Sequence, residues 1–260
     1  MDPDELAASG LRYDVSGAVA HVTLDRPDVR NAQTPRMWRA LAAIGAEITD
    51  EVRVVVVQGS GRSFSAGLDR AMLEPGGDES VTRLVAMSDD EAAATIDTYQ
   101  QGFTWLRDPR FVSIAAVQGH AIGAGFQLAL ACDLRVLATD AQLAMKESAL
   151  GLVPDLTGTK PLVEAVGFSR ALEICATARF VGADEALGLG LATVVCPQAE
   201  LDETVADLVA ALTAAMPGAV RETKALLLAA AGRSLEEQRR FEREAQVRRL
   251  RDLAAQPAAG

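Results

Sequence analysis

The sequence predicts an α/β fold, and three features carry this prediction. Residues 52–57 read VRVVVV, a β-branched run with almost no polar alternation, as in a parallel strand that helices cover on both faces. Residues 111–138 give a strand, a glycine turn, a helix and another strand in direct succession. The second half has the apolar spacing of helices. Because we find no internal repeat or linker, we expect one continuous domain, with a core over residues 1–200 and a helical region over 201–260.

The first half is predicted to alternate strands with helices. A strand over residues 19–24 ends at a turn, and a helix from about 35 to 49 carries apolar residues at three- and four-residue spacing. Residues 70–92 contain Gly76, Gly77, six acidic side chains and little periodicity, so we interpret them as a mobile loop. The remaining elements of this half are a helix over about 91–106, a strand over 111–117, a helix over 126–132 and a strand over 134–138.

The second half is predicted to be helical. Apolar spacing indicates helices over residues 160–166, 169–177, 183–189 and 201–216. The stretch 226–231 is apolar enough for a buried helix. Ser234 and Glu237 have the spacing of a capping box, so the last helix should begin at Ser234 and run to about Leu253. We interpret its six arginines as a solvated face with acidic neighbours; the alternative is a subunit contact or an anchor for a ligand phosphate.

Composition and charge exclude several classes of function. Acidic residues outnumber basic ones by 36 to 25, a net charge of −11, and such a surface repels nucleic acid and anionic membranes. The three cysteines lie far apart, which indicates buried thiols in a reducing compartment and argues against disulfides or a zinc site. The first residues are acidic, and no apolar run approaches the length of about 18 needed to cross a bilayer. We therefore expect a soluble, cytoplasmic protein with no metal and no nucleic-acid or membrane partner.

Two segments share a form that suits anion binding: a buried strand, a turn of small residues, and then the start of a helix. They are residues 61–69 (GRSFSAGLD) and 119–125 (GHAIGAG). Small residues let the backbone approach a ligand, and a helix N-terminus offers unpaired N–H groups. Either turn alone is better explained as plain structure, whereas two turns that face each other could bind one oxyanion from both sides.

Other catalytic and ligand-binding motifs fail on spacing. Gly59 and Gly61 are followed by Phe64 where a dinucleotide fingerprint needs a glycine, and the sequence has no GxxxxGK[ST] or GxSxG motif. Two histidines leave little for a Ser-His-Asp triad. His21 lies in mid-strand and is interpreted as structural. His120 lies in the second turn, where packing or a backbone hydrogen bond is favoured over ligand contact.

Taken together, the two turns resemble the paired signatures of the enoyl-CoA hydratase/isomerase (crotonase) family. The resemblance rests on residues 64–69 and 115–125 and extends to 24–32, 132–135 and 141–154. It implies a crotonase-like ββα superhelix with a helical C-terminal trimerisation region. It also implies that the ligand is an acyl-CoA thioester, whose CoA is part of the substrate, so that no separate cofactor is needed.

The resemblance implies an oxyanion hole made by two backbone N–H groups, those of Leu68 and Ala124. Ala124 stands where the family usually has a glycine, and alanine keeps the donor because the donor is the amide. Donors aimed at the thioester oxygen stabilise the charge of an enolate, each worth roughly 10²–10³ in rate.

The resemblance also places the reacting carboxylates. Family hydratases use two glutamates twenty residues apart, and these positions are Gln127 and Glu147 here. Because glutamine can hold a water but cannot exchange its proton, the hydration apparatus is incomplete. Asp155 stands where family members that shift double bonds in dienoyl-CoA, or dehalogenate aromatic CoA esters, carry an aspartate. We assign all three residues to catalysis; the alternatives are a helix N-cap for Asp155 and a solvated carboxylate for Glu147.

The remaining expectations concern the CoA part and the assembly. The residues expected to bind CoA are Arg26, Ser65, Ala66, Asp69, Gly123 and Lys224. Among them, Arg26 and Lys224 are the candidates for the phosphates, and Ser65 and Ala66 are expected to line the adenine and pantetheine path through backbone contacts. The resemblance implies a homotrimer or a dimer of trimers built on the C-terminal helices.

Two functions are therefore open. The first is an enzyme of acyl-CoA metabolism in which Glu147 is the acid/base for double-bond isomerisation or hydration. The alternative is an acyl-CoA-binding protein with little catalysis, because Gln127 replaces the first hydratase glutamate. Water addition, bond migration and solvent-deuterium exchange on a panel of enoyl-CoA substrates distinguish them.

Overall fold

Two β-sheets lie at the centre of the computed structural model, which describes residues 2–74 and 80–255. Within these residues the larger sheet has six strands in the order β1-β2-β3-β4-β6-β9, and the smaller has three in the order β5-β7-β8. The strands are β1 (Leu11–Ser16), β2 (Val19–Leu24), β3 (Val54–Gly59), β4 (Val112–Val117), β5 (His120–Ile122), β6 (Leu134–Ala138), β7 (Gln142–Ala144), β8 (Val181–Gly182) and β9 (Val194–Cys196). In the larger sheet only β1 is antiparallel to its neighbour.

Helices alternate with the strands as far as β9, and in the described part of the chain three α-helices follow it, which confirms the α/β prediction. They are α1 (Pro3–Ala8), α2 (Pro35–Glu47), α3 (Val81–Val85), α4 (Asp89–Thr104), α5 (Ala124–Ala131), α6 (Thr159–Thr177), α7 (Ala183–Gly188), α8 (Leu201–Ala214), α9 (Pro217–Ala230) and α10 (Leu235–Ala255). Among the described residues no single helix is long and apolar enough to cross a membrane; α8 and α9 pass that test only as a pair bent by 104°.

The valine run of β3 is buried on both faces, as its sequence predicts. Val55 and Val57 belong to the main core, whereas Val54 and Val56 belong to a second core on the opposite face of the sheet. Helix α8 completes that second core with Leu201 and Val205. The first residues of the C-terminal region therefore pack on the sheet. The division of the chain at residue 200 stays a prediction.

The interpretation of residues 70–92 as one irregular loop is wrong where this segment is described. A 3-10 turn covers Arg70–Leu73, α3 follows, and α4 already begins at Asp89. Ser88 and Glu91 form a capping box that starts α4, a signal hidden by the acidic residues around it. Gly76 and Gly77 lie outside the described residues.

The helical second half agrees with the sequence apart from a break in one helix and two short strands, β8 and β9, that were not predicted. The helices predicted over 160–166 and 169–177 form α6, which is interrupted at Gly167 where φ is 74° and ψ is 164°. The capping box at Ser234 is confirmed, because the Ser234 N–H donates to Glu237 Oε2 at 2.9 Å and Ser234 Oγ accepts from Glu237 N at 3.3 Å.

Helices α9 and α10 form a hairpin that leaves much apolar surface open. Residues 226–231 are not buried within the single chain, since Leu227 is 70% exposed, so a buried helix at a subunit contact stays a prediction. In α10 Ala245 is the buried residue among those the structure describes. The arginines of α10 meet acidic neighbours as expected; Arg248, for example, binds Glu222 at 2.7 and 2.8 Å.

Candidate active site

A ladder of backbone hydrogen bonds joins the two glycine turns. The turns follow β3 and β4, which are parallel neighbours, so both turns lie at the same edge of the sheet. Phe64 N donates to Gln118 O at 2.9 Å, Ser65 N donates to His120 O at 2.8 Å, and Ile122 N donates to Ser65 O at 3.0 Å. These hydrogen bonds hold the backbones of two segments that are far apart in the sequence side by side.

Glycines make this close approach possible. Gly67 has φ of 84° and Gly123 has φ of 52° with ψ of −118°, both in regions that favour glycine. A Cβ on Gly125 would lie 2.7 Å from Ser65 Cβ, and a Cβ on Gly67 would collide with the Ile122 carbonyl. Side chains at these positions would push the two turns apart.

The N–H groups of Leu68 and Ala124 lie on the two joined turns and have no acceptor among the described residues. Gln33 pairs with the residues on either side of Leu68: its N–H donates to Gly67 O at 2.7 Å and its carbonyl accepts from Asp69 N at 2.8 Å. The Leu68 N–H therefore points away from Gln33. Ala124 is the first residue of α5, where the N–H has no acceptor in the helix. Within residues 2–74 and 80–255 neither N–H donates to another group, and a Cβ on Gly67 would lie 3.6 Å from Ala124 N.

A buried polar network holds the first turn. Ser65 Oγ donates to Asn31 O at 2.8 Å and accepts from Gln33 Nε2 at 3.1 Å and from Gly67 N at 3.2 Å. Trp38 Nε1 donates to Gln33 Oε1 at 2.8 Å. The hydroxyl of Ser65 therefore holds the turn, and the expected backbone contact of Ser65 with CoA stays a prediction. Sequence reasoning missed Gln33, because nothing near it in the chain marks it as functional.

Glu147 lies beside the second turn, at the start of a 3-10 turn over Glu147–Leu150. It is only 8% exposed, so the alternative of a solvated carboxylate is wrong. Its Oε1 accepts from Gln127 Nε2 at 2.7 Å, whereas its Oε2 is buried with no hydrogen-bond partner in the described part of the chain. A Cβ on Gly123 would lie 3.3 Å from Oε1 and 3.9 Å from Oε2. The carboxylate thus adjoins the residue that precedes Ala124.

Burial raises the pKa of Glu147, because an apolar environment disfavours the charged form. The hydrogen bond from Gln127 opposes this rise, and the negative charge of Asp155 adds to it. Burial also raises the pKa of Asp155, which is partly buried. The two carboxyl groups are therefore within electrostatic reach of each other, and both favour the protonated form more than a solvated carboxyl does.

Asp155 does not cap a helix, so that alternative interpretation is wrong. Helix α6 begins after Gly158 and has no side-chain cap. The carbonyl of Asp155 instead accepts from Gln100 Nε2 at 2.6 Å, which ties the loop to α4.

Gln127 requires a correction to its expected role. It was assigned to catalysis as a residue that holds water, but its side chain is buried, with 1% of the residue exposed. Its Nε2 donates to Glu147, and its Oε1 accepts from Leu156 N at 2.8 Å and from Gly158 N at 3.2 Å. The amide binds protein groups at both ends and acts on the site through Glu147.

Lys224 also requires a correction, because it is not placed to bind a phosphate. It is 8% exposed, and its ammonium donates to Asp133 Oδ2 at 2.7 Å, Phe111 O at 2.8 Å and Leu106 O at 3.5 Å. These three acceptors use the three hydrogens of the ammonium. Burial lowers the pKa of Lys224, and the charge of Asp133 opposes that change. The residue joins α9 to the core.

The other CoA candidates stay predictions. Arg26 Nη1 binds Asp69 Oδ2 and Ala32 O, at 2.8 and 2.7 Å, and its side chain remains partly exposed at the first turn. Asp69 in turn accepts from Ala71 N at 3.1 Å and starts the following 3-10 turn. Ala66 N donates to Arg30 O at 2.8 Å.

Two open grooves lie elsewhere on the molecule. One, of about 700 Å³, lies between the large sheet and α8 and includes His21; the other, of about 980 Å³, lies beside α9 and includes Lys224. Neither is lined by Leu68, Ala124 or Glu147, so the candidate site is defined by its chemistry rather than by groove size. In the described residues no group of three or more His, Cys, Asp and Glu side chains is arranged to hold a metal ion.

Comparison with known proteins agrees with this geometry. The model of the enoyl-CoA hydratase/isomerase family matches residues 14–255. The mitochondrial Delta(3,5)-Delta(2,4)-dienoyl-CoA isomerase of Homo sapiens is 38% identical over 221 residues, which cover 81% of this chain and 65% of the human protein. This chain thus spans less than two thirds of that relative's length.

Solved structures show the same likeness over nearly the whole chain. A candidate enoyl-CoA hydratase from Thermobifida fusca YX is 53% identical, covers 97% of each chain and superposes with a TM-score of 0.93. Its complex with CoA superposes with a TM-score of 0.93 at 51% identity over 98% of each chain. The chain therefore has the crotonase fold and belongs to the enoyl-CoA hydratase/isomerase family.

Proposed function

We propose that this protein is an isomerase that moves double bonds in an acyl-CoA thioester, with a dienoyl-CoA as its substrate. The observation that carries the proposal is the buried carboxyl group of Glu147 beside the second glycine turn, with Oε2 unpartnered and the N–H groups of Leu68 and Ala124 donating to no group in the described residues. The partly buried Asp155, whose charge acts on Glu147, supplies the second carboxyl group. The identity with a human dienoyl-CoA isomerase and the CoA-bound Thermobifida fusca relative support the same substrate class.

The N–H groups of Leu68 and Ala124 bind the thioester oxygen in this proposal. When a proton leaves the carbon chain, negative charge moves onto that oxygen as an enolate. Two fixed donors stabilise this charge more than they stabilise the neutral carbonyl, so they accelerate the reaction by roughly 10²–10³ for each donor. CoA follows the first turn, past Arg26, Ala66 and Asp69.

Glu147 removes the proton through Oε2, the oxygen that has no hydrogen-bond partner among the described residues. The electron pair of the broken C–H bond shifts along the chain to the thioester oxygen. Protonated Asp155 then delivers its proton to a different carbon, the electrons return, and the double bonds have moved without change in composition. Each carboxyl group disfavours ionisation of the other, which suits a pair with one base and one acid.

Hydration is disfavoured by the same arrangement. Water addition in family hydratases uses two carboxylates, and Gln127 has no proton to exchange and is engaged at both ends of its amide. The reaction we propose uses no metal and no cofactor beyond the CoA of the substrate. We further propose a homotrimer or a dimer of trimers, supported by the apolar surface that α9 and α10 leave exposed.

The test compares the wild type with Glu147→Gln and Asp155→Asn on dienoyl-, 3-enoyl- and 2-enoyl-CoA in deuterated water. We expect the wild type to convert the 3,5-dienoyl into the 2,4-dienoyl thioester and to introduce deuterium into the chain. Glu147→Gln should lower the rate by about 10²–10⁴ because it removes the base. Glu5→Gln, on the exposed surface of α1, is the matched control and should leave the rate unchanged.

Three outcomes contradict the proposal. Water addition as the main reaction would indicate a hydratase. Tight binding of every thioester with no turnover or exchange would indicate an acyl-CoA-binding protein. Full activity in Glu147→Gln would remove Glu147 from the mechanism.

A further inference from the structure

We propose that Gln127 is a positioning residue that selects the reacting oxygen of Glu147 and holds the loop of Asp155 in register with it. This inference rests on the proposed function, in which both carboxyl groups transfer protons. The residue stands where hydratases of the family carry a glutamate, so its identity decides which chemistry the site can perform.

The hydrogen bonds of Gln127 fix the orientation of its amide. The carbonyl end faces the backbone N–H groups of Leu156 and Gly158, which are donors and need an acceptor. A flipped amide would turn its NH₂ group toward these donors and leave them unsatisfied in a buried place. The NH₂ group therefore has to face Glu147, where it donates to Oε1 at 2.7 Å.

This orientation makes the two oxygens of Glu147 unequal. Oε1 is held by the amide, whereas Oε2 is buried and has no partner in the described part of the chain. The lone pairs of Oε2 are the ones available to take a proton. A Cβ on Gly123 would lie 3.3 Å from Oε1 and 3.9 Å from Oε2, so the whole carboxylate is next to the second glycine turn and thus to the proposed place of the thioester. The hydrogen bond from Gln127 is what distinguishes the two oxygens.

The same amide holds the loop that carries Asp155. Gln127 binds the N–H of Leu156, the next residue, while Gln100 binds the carbonyl of Asp155 from α4. Gly158 leaves the room for this arrangement, because a Cβ there would lie 2.6 Å from Gln127 Cγ. One buried side chain therefore holds the carboxyl group of Glu147 and the loop that carries Asp155. A shift of this loop would change the distance between base and acid.

A glutamate at position 127 distinguishes a residue that positions Glu147 by a hydrogen bond from one that only fills space. Its shape matches glutamine, and one of its oxygens can still accept from Leu156 and Gly158. Its other oxygen would face Glu147 Oε1 at hydrogen-bond distance, where two carboxylates repel each other unless they share a proton. The proton would then reside on Glu147 to a higher pH, and Oε1 would no longer be held by a neutral donor.

The experiment uses the full chain as the wild type, Gln127→Glu, Gln127→Met and the control Gln101→Glu. Gln101 lies on the exposed face of α4 and contacts Asp97, so its change to glutamate adds the same charge outside the site. Titration of Glu147 is followed by NMR of carboxyl-labelled glutamate, with Glu147→Gln used to assign the signal. The pH dependence of kcat and of KM is measured on the dienoyl thioester.

We expect the apparent pKa of Glu147 to rise by about one unit or more in Gln127→Glu and in Gln127→Met, since both lose the neutral donor. The acidic limb of the kcat profile should move by the same amount, with KM changed less than the rate, and Gln101→Glu should match the wild type. An unshifted Glu147 titration in a folded Gln127→Glu protein would overturn the inference. Because the titration needs no turnover, it decides about Gln127 even if the proposed isomerase activity is not found.

Discussion

The carboxyl group of Glu147 is buried in a site that disfavours its ionised form, and this affects the stability of the folded protein. Burial raises the pKa of its carboxyl group, so the folded state prefers the protonated form more strongly than the unfolded state does. Folding is therefore penalised at a pH where the unfolded glutamate is ionised. Each unit by which the pKa rises costs about 1.4 kcal/mol of folding free energy. The fold tolerates this cost because the buried carboxyl group serves the chemistry of the site.

At the residue scale we predict that Glu147→Gln raises the melting temperature at about pH 8 while it lowers the rate of proton transfer. Glutamine resembles the protonated acid and keeps an acceptor for Gln127. For a chain of this size the melting temperature rises by about 2–4 °C for each kcal/mol by which the folding penalty falls. Below about pH 4, where the carboxyl group is protonated in both states, the difference from the wild type should vanish.

Thermal unfolding across this pH range checks the prediction. Glu5→Gln serves again as the control and should follow the wild type at every pH, since Glu5 is exposed. A Glu147→Gln protein that melts below the wild type at all pH values would show that the carboxylate contributes stability, contrary to its burial without a partner for Oε2.

At the scale of elements, one buried ion pair fastens α9 to the rest of the molecule. The Lys224 ammonium reaches Asp133 and the carbonyls of Phe111 and Leu106, and Asp133 also accepts from Ser113 N at 2.7 Å. Removing one partner of a buried pair leaves the other charge uncompensated, which costs more than the pair itself contributes.

We predict that Lys224→Met lowers the free energy of unfolding by about 3–5 kcal/mol and exposes the amides of α9 to hydrogen exchange. Lys160→Met is the matched control, because Lys160 is 76% exposed and its pair with Glu164 lies on the surface. Its cost should stay below about 1 kcal/mol. Denaturant unfolding gives both numbers. Equal, small losses in the two variants would contradict the anchoring role of Lys224.

At the scale of the whole molecule, the C-terminal hairpin offers a surface for self-association. Its exposed apolar residues are Leu227, Leu235, Val247, Leu250 and Leu253. An apolar area of this kind marks an interaction site in soluble proteins. The proposed trimer would bury it.

We predict that Leu227→Glu dissociates the oligomer, because a charge in a buried interface loses its hydration without gaining a partner. Light scattering coupled to gel filtration measures the mass of wild type and variant. Val15→Glu is the control, since Val15 is half exposed on the edge strand β1, away from the hairpin. A wild-type protein that is monomeric at micromolar concentration would contradict the proposed assembly.

The sequence by itself determined the α/β fold, the two glycine turns and the family resemblance. These depend on local patterns: the valines of β3 alternate between two cores, and each turn has the small residues that its backbone needs. The position of Glu147 followed from the family resemblance, which places a glutamate twenty residues after position 127. What these segments need in order to form lies within a few neighbouring residues, so it can be read from the chain.

Only the tertiary structure decided which polar groups are free to act. Gln127 and Lys224 were both expected to face the ligand, yet Gln127 is occupied by residues 20 to 31 positions away and Lys224 by Phe111, 113 positions away. The sequence predicted α4 over about 91–106 but missed α3, because the five residues of α3 are too few to show helical periodicity. A hydrogen-bonding group is satisfied by whatever the fold brings next to it, and local sequence does not contain that partner.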